Sequence, residues 1–126
     1  MDRPAWVSNE HQWREDCREI VECCRDVVEG RLGVIEAARR LKGLALSVRD
    51  ESDPDFMLFR ALDSESDALP VGPVRQYWSV SALEEEDAKI AAFEENARRV
   101  ACLAARRLAE RYGEASHPSE PVGRDV

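Results

Sequence analysis

Residues 81–112 read SALEEEDAKIAAFEENARRVACLAARRLAERY, and this stretch sets the fold class. Leu83, Ile90, Ala97 and Ala104 recur every seven residues, with Phe93, Val100, Ala101 and Leu108 beside them. That spacing places one apolar stripe along a helix. Ser81-Ala-Leu-Glu84 has the capping-box pattern, in which hydroxyl and carboxylate each satisfy an orphan N–H. The helix is therefore predicted from Ser81 to Tyr112, with Gly113 ending it. At ~1.5 Å per residue it spans about 48 Å, long enough to be the spine of a domain. Its first half is acidic (Glu84, Glu85, Glu86, Asp87, Glu94, Glu95) and its second half basic (Arg98, Arg99, Arg106, Arg107, Arg111), which suits the helix macrodipole.

Working back toward the start, Trp13, Cys17, Ile20, Val21, Cys24, Val27 and Val28 form a second apolar stripe that begins after Asn9. Gly30 stands where a left-handed C-terminal glycine is expected. A further helix is predicted over residues 32–46, with Val34, Ile35, Ala38, Leu41 and Ala45 inward and Arg39, Arg40 and Lys42 in water. Gly33 and Gly43 weaken it by about 1 kcal/mol each. The short link makes these two helices antiparallel neighbours. The expected architecture is all-α: a small antiparallel bundle with one long C-terminal helix. Residues 1–8 are read as frayed, 9–112 as the domain, and 113–126 as a disordered tail.

Residues 50–74 differ in kind. Asp50, Glu51, Asp53, Asp55, Asp63, Glu65 and Asp67 face a single Arg60, so this connecting segment carries −6 of the chain's −8. Asp53-Pro54 reads as an N-cap followed by proline at the first helical position. Phe56, Met57, Phe59 and Leu62 then fit a short helix, with a strand at 56–59 as the alternative. Residues 64–73, holding Pro70, Gly72 and Pro73, are expected to be irregular.

The chain has 126 residues, 44% apolar and 35% charged, which is one globular domain's worth. Its 18 basic against 26 acidic residues argue against nucleic acid or an anionic membrane as the main partner. No run resembles a membrane span or a secretory leader, so a cytoplasmic location is expected. Cys17, Cys23, Cys24 and Cys102 offer neither a Cys-x-x-Cys nor zinc-finger spacing, so free, mostly buried thiols are expected, a redox role being the alternative.

No enzyme signature emerges. His11 and His117 fall in the start and the tail of the chain, so a Ser-His-Asp or Cys-His arrangement has no well-placed base, and Gly30-Arg-Leu-Gly33 lacks the lysine and strand of a phosphate loop. Asp63-Ser-Glu-Ser-Asp67 has the alternating acids that begin a calcium loop, but Ala68 and Val74 occupy the positions that need Gly and Glu. Neither a metal nor a cofactor is expected. The arginines of the long helix lack interleaved aromatics for RNA and are expected to pair with acids of the first helix. Arg75-Gln-Tyr-Trp78 concentrates the residue types that anchor interfaces. Trp78 is expected to pack mainly on the core, leaving Tyr77 the more exposed.

The stretch Asp53-Pro-Asp-Phe56, followed by Asp63-Ser-Glu-Ser-Asp67-Ala-Leu-Pro70-Val-Gly72-Pro-Val-Arg75-Gln-Tyr-Trp78, resembles the core of a family of small bacterial helical proteins. Those proteins are in turn similar to immunity proteins encoded beside secreted antibacterial toxins. The resemblance covers at most residues 13–112. It implies a bacterial source, a binding role and no catalytic residue. The expected function is a non-catalytic protein-binding module that neutralises a toxin domain with a basic surface. Asp50, Glu51, Asp53, Asp55, Asp63, Glu65, Asp67, Arg75, Tyr77 and Trp78 are its candidate contacts. A structural or regulatory homodimer built along the long helix is the alternative.

Overall fold

Asn9 starts the first helix by accepting the Gln12 N–H on its side-chain oxygen at 3.0 Å. The computed structural model describes residues 2–115, and among them the elements are α1 (Glu10–Val28), α2 (Val34–Ser47), α3 (Pro54–Glu65), a 3-10 helix (Gly72–Tyr77) and α4 (Val80–Gly113). The described residues contain no strand, so the fold is an all-α bundle and 56–59 is helical. Each predicted apolar stripe supplies a wall of the core. Trp13, Cys17, Ile20, Val21, Cys24 and Val27 come from α1, and Val34, Ile35, Ala38, Leu41 and Ala45 from α2. Phe56, Phe59 and Leu62 come from α3, while Met57 faces water. Fully burying one such large side chain stabilises the fold by about 1.5–3 kcal/mol.

Alpha-4 runs antiparallel to α1. Arg98 Nη2 donates to the Val27 and Val28 carbonyls at one end of α1, and Arg14 Nη1 donates to the Ala115 carbonyl at the other. Its inner face there is Ala97, Ala101, Ala104, Ala105, Leu108 and Tyr112, mostly small residues that let helices approach closely. Helix lengths do not match, however. At ~1.5 Å per residue α4 is about 51 Å long and α1 about 28 Å. None of the α4 residues before Ala97 is fully buried, so its acidic first half extends beyond α1.

Several boundaries differ from the sequence reading. The N-cap of α4 is Ser79, whose Oγ accepts the Ala82 N–H at 3.2 Å, so Ser81 and Glu84 lie within the helix rather than forming a capping box. Gly113 is itself helical. Gly33 precedes α2 and is its N-cap rather than an interior weakness. Pro73 does not abolish regular structure; it sits in the first turn of the 3-10 helix, where a missing N–H costs nothing. Gly30 has φ +78° and ends α1 as expected. Residues 1–8 are not frayed as a whole: Val7 is buried, and the Trp6 ring lies 4.6 Å from the Arg49 guanidinium. Arg49 itself has φ +53°, a left-handed turn out of α2 that its stacking on Trp6 helps to offset. Of the expected disordered tail, Ala115 is buried against the bundle, and residues 116–126 lie outside the described residues.

Candidate partner-binding surface

The acidic segment is largely consumed by the fold. Asp50 Oδ2 accepts the Tyr112 hydroxyl at 2.6 Å and meets Arg111 at 3.2 Å. Asp53 caps α3 through the Asp55 and Phe56 N–H groups and pairs with Arg111 at 2.9 Å. Buried Asp55 takes the Arg107 guanidinium at 2.8 Å, and buried Asp63 takes Lys42 at 3.1 Å, with Arg39 at 3.8 Å. These four carboxylates therefore fasten α3 and its flanks to α2 and α4. They are not a free contact surface. Only Glu51, Glu65 and Asp67 of the seven point outward.

Two arginines of α4 are correspondingly engaged. Arg107 and Arg111 pair with the connecting segment, not with acids of α1 as expected. Burial works against the Arg111 charge, but Asp53 and Asp50 more than offset it and raise its pKa. Nor are the basic residues of α2 simply solvated. Arg39 reaches the carbonyls of Leu69, Val71 and Ser66 at 3.1–3.5 Å and folds the loop after α3 onto α2.

Arg75 proves to be a strut. Its two Nη atoms grip both oxygens of Asp87 on α4 at 2.7 and 3.1 Å, and Nη1 also donates to the Pro70 carbonyl. This bond holds the Asp87 carboxyl below its ordinary pKa. A bidentate Arg–carboxylate clamp fixes direction as well as distance. It pins the 3-10 helix to the overhanging half of α4, and four apolar side chains stand out at that corner. Tyr77 is 81% exposed, Val80 75% and Val74 45%. Trp78 joins them at 37%; it lies outside the core, where it was expected to pack. Sequence reasoning missed Val74 and Val80, although an apolar residue on either side of Tyr77-Trp78 was the available signal. Exposed Glu84 and Glu85 follow within the next two turns.

A second concave surface separates α1 from α2. It is an open groove of about 720 Å³ with Asp16, Glu19, Glu22 and Asp26 on one wall and Arg40, Gly43 and Leu44 on the other. Cys23 lies in its floor. Burial pushes that thiol up to about 11, so it is protonated at neutral pH and offers no thiolate nucleophile. Cys17, Cys23 and Cys24 are buried free thiols, and Cys102 is half-buried and free. Among the described residues no group of three or more His, Cys, Asp or Glu is placed to hold a metal, and no helix is long and apolar enough to cross a membrane.

Neither the family models, the curated proteins nor the solved structures compared with this chain match it. The functional reading therefore rests on this surface and its chemistry.

Proposed function

We propose that the protein is a non-catalytic binding module, and specifically a bacterial immunity protein that neutralises a toxin domain. In this reading Tyr77, Trp78, Val74 and Val80 seat on the toxin, and the surrounding carboxylates meet its basic surface. The single observation that carries it is the exposure of Tyr77 and Val80 on a corner clamped by Arg75 and Asp87. Large apolar side chains grouped on a rigid surface mark interaction sites, and tyrosine and tryptophan dominate interface energetics. Rigidity matters because a preordered corner loses little entropy on binding. Glu65, Asp67, Glu84 and Glu85 supply the steering charge; Glu51 lies at the far end of the bundle beside Asp50 and Asp53, which pair with Arg111, and the four internally paired aspartates do not contribute.

The test is co-expression with the toxin encoded beside the gene, scored by survival, followed by binding kinetics on the purified pair. Tyr77→Ala with Val80→Ser is expected to raise the off-rate by about tenfold or more, because close-contact losses appear mainly in dissociation. Replacing Glu65, Asp67, Glu84 and Glu85 by their amides is expected to slow association several-fold at low salt and to flatten its salt dependence. The reading fails if no neighbouring gene product is toxic. It also fails if the Tyr77/Val80 variant, still folded, binds and protects like the parent.

A further inference from the structure

We propose that the outward face of α4 binds a second copy of this chain, antiparallel, about a two-fold axis between Glu95 and Asn96. This goes beyond the toxin-binding reading and shares only Glu85 with it. Among the described residues, the side of α4 opposite Ala97, Ala101, Ala104 and Leu108 is unpartnered. Leu103 stands on it 43% exposed, well outside the core, and Val100, 46% exposed, lies on the flank toward α3. The same side carries Glu85 and Glu95 in the first half and Arg99 and Arg106, followed by Glu110, in the second, all exposed. Arg98, Arg107 and Arg111 are engaged inside the bundle. Among the described residues Arg99 and Arg106 have no ion-pair partner, so their charge is available outward.

Self-complementarity selects the register. Glu85 and Arg106 lie equally far from the Glu95–Asn96 midpoint, about 16 Å each at ~1.5 Å per residue. Turning a second copy end over end therefore sets each Glu85 against the other copy's Arg106, twice by symmetry. The same operation sets Leu103 over the other copy's Ala88, which is small enough for helix axes to approach to ~8 Å. Arg99 then lies over Ala92, one turn from the other copy's Glu95. A parallel pairing would stack Glu85 on Glu85 and Arg106 on Arg106, so the charge pattern excludes it. A wholly basic partner would match only the acidic half and would meet Arg99 and Arg106 with like charge. The start of α4 at Val80 is left about 23 Å from the axis at ~1.5 Å per residue, so the Tyr77 corners that precede it are free to bind elsewhere.

Sedimentation of the full chain, under reducing conditions and from micromolar to millimolar concentration, tests the pairing. The parent is expected to dimerise, and added salt to weaken the dimer. Glu85→Arg and Arg106→Glu, each verified as helical, are each expected to raise the dimer Kd by about tenfold or more, since like charges then meet twice. The double variant E85R/R106E restores opposite charges and is expected to return to within about threefold of the parent. A parent that stays monomeric throughout, single variants that dimerise like the parent, or a double variant that does not recover would each overturn the proposal. Tyr77→Ala should leave the dimer untouched, which separates this proposal from the toxin-binding one.

Discussion

The start of α2 is capped from another helix, and the cost of removing that cap can be worked out from its geometry. Gly33 has no side chain to offer the first N–H groups of α2. Glu94, sixty residues away on α4, accepts the Val34 N–H at 2.6 Å on one carboxylate oxygen and the Ile35 N–H at 3.0 Å on the other. Hydrogen bonds to a charged group contribute about 1.5–3 kcal/mol each, and the helix N-terminus adds a few tenths more. Ordering the glutamate costs back about 1.5–2 kcal/mol. Glu94 is only half-buried, so the low end of the hydrogen-bond range applies: Glu94→Ala is expected to lose about 2 kcal/mol, and Glu94→Gln, which keeps one acceptor but no charge, about half of that. With an unfolding entropy of roughly 240 cal/mol/K for a chain of this size, the alanine variant should melt about 8 °C lower. Gly33→Ala probes the same contact from the other side, because an added Cβ would lie 3.1 Å from Glu94 Oε2. It should cost about 1 kcal/mol in the parent and close to nothing once Glu94 is alanine, a coupling that a double-mutant cycle isolates. Thermal and urea unfolding followed by circular dichroism measure both. A Glu94→Ala loss under about 0.5 kcal/mol would refute the capping argument, as would a Gly33→Ala cost that is the same in both backgrounds.

Tyr112→Phe removes the hydroxyl bonded to Asp50 and should lower stability by about 1–1.5 kcal/mol, read as a shifted urea midpoint with unchanged slope; an unchanged midpoint would mean the bond contributes nothing. The buried thiols make a pH prediction. Burial pushes Cys17, with Asp16 adding to it, up to about 11, and burial does the same to Cys23; Cys24 is raised further. The unfolded chain ionises first, near pH 9, and so binds fewer protons than the folded one. The thiols' contribution is complete below pH 9 and is lost as pH rises toward 11, so urea midpoints should fall across that window, and less steeply in Cys17→Ala. In the native protein a thiol reagent should modify Cys102 first, and simultaneous rapid reaction of all four cysteines would contradict the packing of α1.

Much of the candidate surface was beyond the reach of a linear reading. The 50–74 segment looked like an exposed acidic patch because nothing nearby neutralises it. Its partners are Arg107 for Asp55, 52 positions on, and Tyr112 for Asp50, 62 positions on. Trp78 looked like a core residue because it precedes a helix, yet the core ends at Ala97 on α4 and never reaches it. Ser79 and Ser81 are equally good caps by composition. Starting at Ser79 adds hydrogen-bonded residues and lets Val80 face water at the first helical position.

The helices follow from local residue pattern, because periodic burial, N-caps such as Asn9 and Asp53, and the left-handed Gly30 act over three or four residues. Those signals suffice for an all-α bundle with one long C-terminal helix. Which charges remain available depends instead on how the helices dock. Pairing Asp50, Asp53, Asp55 and Asp63 with arginines and a lysine on α2 and α4 took four acids out of the surface. The length mismatch between α1 and α4 left the acidic first half of α4, and the Tyr77 corner, in solvent. Coulomb and hydrogen-bond energies depend on distance in space, and that distance is set only when the helices dock.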